Sequence, residues 1–133
     1  MPIKNINLIN QRIALENVSF TKKEFLQSSL KVVVHDEISE IKANSQDISF
    51  LFKRKVTLDP ISVFEVEVCI SYSSRISDES YKLMLDDKKV LTHDDFVKIV
   101  NNTNIPQTAS MIISNLTAVN GGNPLITSPI FIK

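Results

Sequence analysis

The stretch ISFLFKRKVTLDPISVFEVEVCISY, Ile48 to Tyr72, constrains this chain more than any other. Ile48, Phe50, Phe52, Val56 and Leu58 occupy even positions, with Ser49, Lys53, Lys55 and Thr57 between them. Successive side chains of a strand point to opposite faces. The spacing therefore predicts one apolar face on a core and one polar face in water. Arg54 breaks the apolar face and Leu51 the polar one. Asp59-Pro60 then signals a turn. Beyond it Phe64, Val66, Val68, Ile70 and Tyr72 alternate with Glu65, Glu67, Cys69 and Ser71. Two such runs joined by a short turn predict an antiparallel hairpin. Lysines of the first polar face can then meet Glu65 and Glu67 of the second. Such cross-strand pairs contribute about 0.2–1 kcal/mol each.

Two further strands are expected upstream. RIALENVSF, Arg12 to Phe20, fits a strand kinked near Glu16-Asn17, and LKVVVHDEISEI, Leu30 to Ile41, opens on a β-branched run. ANSQD, Ala43 to Asp47, is a turn cluster. Downstream, SSRISDES, Ser73 to Ser80, reads as a polar loop, and YKLML, Tyr81 to Leu85, fits a short strand or a helical turn alike. Helix signals come last. Thr92 is a good N-cap with Asp94 and Asp95 in the first turn, where the helix dipole favours negative charge. Phe96, Ile99 and Val100 share one face of that helix. NNTN interrupts it. Ile105-Pro106 restarts, with proline near the first helical position, where its missing N–H costs least. Ala109, Ile112, Ile113, Leu116 and Val119 then recur at helical spacing until Gly121-Gly122, which permit a left-handed cap. The tail NPLITSPIFIK cannot be helical across its prolines. Strands first and helices last predict an α+β domain with helices on one face of an antiparallel sheet.

Composition excludes several classes. The 133 residues fit one domain, residues 1–133, able to bury roughly two-thirds of its unfolded surface. The 15 basic and 15 acidic residues cancel, and no basic face beyond Lys53, Arg54 and Lys55 invites nucleic acid. That triplet is better read as part of a strand's wet face than as a phosphate patch. Two glycines are too few for a glycine-rich phosphate loop. No apolar run reaches the roughly 20 residues of a membrane span. The N-terminal MPIKNINLINQR lacks the apolar region of a signal peptide. With Cys69 alone there is no internal disulfide, so a reducing cytoplasm is the expected setting. Zero net charge removes one defence against self-association.

Catalytic chemistry finds little support. His35 falls mid-strand and His93 at a helix start, without metal-ligand spacing. Cys69 sits on a strand's polar face with no glycine turn or helix N-terminus to activate it. Asp86-Asp87 and Asp94-Asp95 suit turns and first helical turns better than paired acid–base work. The chain is therefore expected to be no enzyme and to hold no metal or cofactor.

The C-terminal stretch carries more than periodicity. Pro106, Ala109, Ile113, Leu116, Gly121 or Gly122, Pro124, Ile126, Pro129 and Phe131 fall in the order of a proline-led helix, a glycine stop and a double-proline tail. In this the sequence resembles the SecB family of protein-export chaperones. LENVSF, Leu15 to Phe20, is similar to the family's first-strand segment, and FLFKRKVTL with VFEVEVCI to its central strand pair. The resemblance implies a four-stranded antiparallel sheet with a long helix packed on it. It implies homodimers or homotetramers formed through sheet edges and a helix face, here Ala109, Ile112, Ile113 and Leu116. It also implies ATP-independent holding of unfolded polypeptides, with Phe20, Phe25, Leu125, Ile126, Ile130 and Phe131 as candidate client contacts. Export-competent members dock their motor through carboxylates on the sheet. Asn17 and Thr21 stand where acids would be, and Glu67 is the one candidate docking glutamate. Since some relatives serve toxin–antitoxin pairs, a module dedicated to one protein partner, such as an antitoxin, is the alternative to a general holdase.

Overall fold

A computed structural model of the chain describes residues 6–22, 31–59, 64–121 and 125–132. Four long strands come first: β1 (Leu8–Lys22), β2 (Lys31–Asn44), β3 (Asp47–Asp59) and β4 (Phe64–Ile76). Three helices follow: α1 (Asp78–Asp86), α2 (His93–Asn101) and α3 (Ile105–Gly121). The strands form one antiparallel sheet in the order β1-β4-β3-β2. The hairpin read from alternation is its centre, with Phe50 opposite Tyr72, Phe52 opposite Ile70 and Val56 opposite Val66. All six are buried, and the core lies between this face and the helices. Phe50 stacks on Tyr72 at 4.9 Å and meets Phe96 of α2 edge-on at 5.8 Å. On the opposite face Lys55 pairs with Glu65 at 2.6 Å and Lys53 with Glu67 at 3.5 Å.

The edge strands depart from simple alternation. β1 carries two register shifts, between Ile9 and Arg12 and between Leu15 and Asn17, and β2 one between Ser39 and Lys42. A bulge sets two residues against one and so reverses which parity faces the core. Leu8, Ile13, Leu15, Val18 and Phe20 lie opposite Ile76, Tyr72, Ile70, Val68 and Val66. They share the helix-side face although their spacing is not period two.

The helices begin where their caps dictate. SSRISDES is not a loop: β4 runs through it to Ile76, and Ser77 caps α1 by accepting the Ser80 N–H at 3.3 Å. YKLML is helical within α1. Thr92 and Asp95 form a reciprocal capping box on α2: Thr92 Oγ1 accepts the Asp95 N–H at 3.3 Å, and Asp95 Oδ2 accepts the Thr92 N–H at 2.8 Å. α3 starts at Ile105-Pro106 and runs to Gly121. No described helix is long and apolar enough to cross a membrane.

Arg54 requires a correction. It is not part of a wet face: it points into the core with no exposed surface and lies directly opposite Asp36 of β2. Both carboxylate oxygens are engaged, by Nε and Nη2 at 2.7 Å each. A buried guanidinium persists only when its charge is matched and its donors are used.

Candidate functional site

The Arg54–Asp36 pair organises the C-terminal segment, residues 125–132. Arg54 Nη1 donates to Ser110 Oγ of α3 at 2.9 Å and to Thr127 Oγ1 at 3.1 Å, and it also faces the Ser128 carbonyl. Nη2 donates to the Ile130 carbonyl at 2.9 Å, while Asp36 Oδ2 accepts the Ile132 N–H at 2.8 Å. Ser110 and Thr127 hydroxyls are 2.7 Å apart. Sheet, helix and tail thus meet on one ion pair. Two more bonds fix the tail's ends: Thr117 Oγ1 accepts the Leu125 N–H and Asn101 Oδ1 the Phe131 N–H, each at 2.7 Å.

This clamp sorts the candidate contacts. Phe131 lies in the core, edge-on to Phe52 at 6.1 Å and to His93 at 6.2 Å. Ile126 and Ile130 point outward, 83% and 56% exposed, and Leu125 is half-buried. Phe20 is half-buried against the core from β1, and Phe25 lies outside the described residues. On α3, Ala109 and Ile113 are fully covered within the single chain. Ile112 and Leu116 are half-buried and Met111 is 66% exposed. Glu67 sits on the outer sheet face and is engaged by Lys53.

Alternation along the sequence does not reveal an apolar surface on β1. On β1, Ile13 is 41% and Leu15 53% exposed, on the helix-side face and next to half-buried Val18 and Phe20. Among the described residues nothing pairs with the outer edge of β1, since β4 occupies its inner edge. Bulges placed these residues on one face, and no count of alternating positions reveals it. Exposed Ile13 and Leu15 beside an open strand edge suit an added extended segment. Main-chain hydrogen bonds would supply affinity and the apolar side chains selectivity.

The reactive side chains are poorly set for chemistry. Burial, and then the neighbouring Glu67 carboxylate, push the Cys69 thiol above its ordinary pKa, so its nucleophilic thiolate is disfavoured. His35 and His93 are exposed and stand on different elements. Asp95 is spent on its cap. Among the described residues no three His, Cys, Asp or Glu side chains gather as metal ligands.

No family model matches the chain, and no curated protein matches it by sequence. Solved structures do match. One is the Mycobacterium tuberculosis Rv1957 SecB-like chaperone in complex with a ChAD peptide from the Rv1956 HigA1 antitoxin. It superposes with a TM-score of 0.58 at 10% identity, over 92% of this chain and 87% of that one. A second is a protein of unknown function from Streptococcus agalactiae, with a TM-score of 0.48 at 9% identity, over 93% of this chain and 98% of that one. The four-stranded sheet in the order β1-β4-β3-β2, with its helices on one face, is the fold this chain shares with the mycobacterial chaperone: it has a SecB-like fold.

Proposed function

We propose that the chain is a single-domain, protein-binding module of the SecB-like fold that serves one dedicated protein partner and needs no nucleotide. The observation that carries this reading is the apolar strip on the open edge of β1, where Ile13 and Leu15 are left uncovered beside Val18 and Phe20. The mycobacterial SecB-like chaperone in complex with an antitoxin peptide supports a protein segment as the ligand of this fold, and makes an antitoxin one candidate partner. Ile126 and Ile130, held outward by the clamped tail, add a second apolar contact. Assembly into homodimers or homotetramers fits the same reading through Ile112, Leu116 and exposed Met111 of α3. A cytoplasmic setting and a binding role without catalysis belong to it too. Docking to an export motor does not: Glu65 and Glu67 are matched by Lys55 and Lys53, so the outer face offers no run of unpaired carboxylates at that site.

A chemically unfolded, aggregating polypeptide diluted into buffer with the folded protein tests the choice of client. Light scattering should be unaffected at near-stoichiometric ratios. Suppression without nucleotide would replace this reading with that of a general holdase.

A further inference from the structure

The two edge strands carry matching irregularities. β1 bulges at Asn10, whose φ is 54°, just before Arg12. β2 bulges at Glu40, whose φ is 51°, just before Lys42. Positive φ is uncommon outside glycine and costs free energy, more for Glu than for Asn. Bulges re-aim side chains and cluster at edges and next to functional sites. Both bulges here deliver a cation to the same cross-strand row. Arg12 lies opposite Ser73, Ser73 opposite Ser49, and Ser49 opposite Lys42. The row runs across all four strands on the face away from the helices, with a cation at each end and two hydroxyls between. Three strand spacings of about 4.8 Å separate its ends, within the combined reach of an arginine and a lysine side chain.

The surface above this row is concave. A cavity of about 420 Å³ is lined by Arg12, Lys42, Ser49, Ser73, Asn44 and Arg75, among others. Among the described residues its lining holds three cations, Arg12, Lys42 and Arg75, and one carboxylate, Asp47, which lies 3.4 Å from Arg75. Among the described residues Arg12 and Lys42 make no ion pair, whereas Lys53 and Lys55 on the same face do. Arg12, Lys42, Ser49 and Ser73 also line the neighbouring cavity, together with Glu16 and Glu40, and there Glu16 accepts the Ser71 hydroxyl at 2.6 Å. Bulges and charges can also simply blunt an edge. Edge protection alone would not require both cations in one row over a floor of hydroxyls.

We infer that this concavity is an oxyanion-binding site for a small polyvalent phosphate-type anion, gripped by Arg12 and Lys42 from the two sheet edges, with Ser49 and Ser73 donating from the floor. It lies on the face opposite the β1 strip's apolar side chains and does not depend on the protein-partner reading.

Titration of the full chain with inorganic pyrophosphate, followed by amide chemical shifts at low salt, tests it. Inorganic phosphate serves as a second probe and an acidic peptide as a third. Saturable shifts should centre on Ser49, Ser73, Arg12 and Lys42, with pyrophosphate binding more tightly than phosphate. Arg12→Gln or Lys42→Gln should each weaken binding by about tenfold or more, as expected for loss of a charge-assisted hydrogen bond. Lys55→Gln, on the same face but paired with Glu65, should leave it within about twofold. Absence of saturable shifts at those residues would overturn the proposal. So would equal losses for all three variants, or binding of the acidic peptide in preference to pyrophosphate.

Discussion

Replacing Arg54 by methionine removes the charge on which sheet, helix and tail converge. The volume is roughly kept, so the main effect is electrostatic. Asp36 would stay buried with two of its hydrogen bonds gone, and the Ile130 carbonyl would lose its Arg54 donor, while the Ser128 carbonyl would keep the Ser110 hydroxyl at 3.0 Å. Breaking a fully buried ion pair from one side costs about 3–5 kcal/mol. An orphaned Ile130 carbonyl would cost about 1–3 kcal/mol if the tail stayed in place, so release of the tail sets the upper limit. A loss of about 3–5 kcal/mol is a large share of the roughly 5–15 kcal/mol that stabilises an ordinary domain. Urea unfolding should show the midpoint falling accordingly. Hydrogen exchange should show the amides of Leu125, Phe131 and Ile132, bonded to side chains in the intact protein, losing protection first. Arg54→Met with Asp36→Leu, which removes both charges, should recover a substantial part of the loss. A cost below about 1 kcal/mol for Arg54→Met, or no recovery in the double variant, would refute the clamp as the organiser of the tail.

Four further outcomes are expected. Phe131→Ala should cost about 3–5 kcal/mol in urea unfolding because the ring is in the core, whereas Ile126→Asn should change stability by less than about 0.5 kcal/mol. Thr92→Ala should cost about 1 kcal/mol, read from the shift of the thermal midpoint, since it opens the α2 capping box. Asp95 combines an upward push from burial with larger combined downward effects from Thr92 hydrogen bonds and Lys89, and its net pKa is lowered. Its contribution is therefore present above the unfolded carboxylate range near pH 4 and is lost as pH falls through the lower folded value. Thr92→Val should accordingly flatten the acid limb of stability against pH. Cys69 should alkylate at pH 8 far more slowly in the folded chain than in urea, as burial and Glu67 hold the thiol protonated.

Sequence made the centre of the sheet legible because β3 and β4 pair without a register shift, so alternation survives from Ile48 to Tyr72. The capped start of α2 and the Ile105-Pro106 start of α3 were legible for local reasons, since their chemistry lies within a few residues. α1 was hidden because Ser77, Asp78 and Glu79 read as a polar loop, although an N-cap serine followed by two acids is a helix start. Arg54 was visible only as a break in a pattern. Its partner was the matching break in β2, where Asp36 stands between Val34 and Ile38, and pairing the two required knowing the register. The β1 strip was hidden by bulges, which reverse parity twice within one strand. Burial in this chain follows such cross-strand partnerships. Phe131, greasy and terminal, reads as a surface contact until the clamp places it beside Phe52.

A photo-crosslinking residue at Leu15, installed in the full chain and activated in the cells that produce it, tests whether the β1 strip holds one dedicated partner. The position is 53% exposed on the helix-side face of the open edge strand, so its substitution leaves the core intact. One discrete adduct is expected, lost when Ile13→Asp is added to a chain that still folds. A broad ladder of adducts of many sizes, or no adduct from folded protein, would contradict a dedicated partner held on this strip.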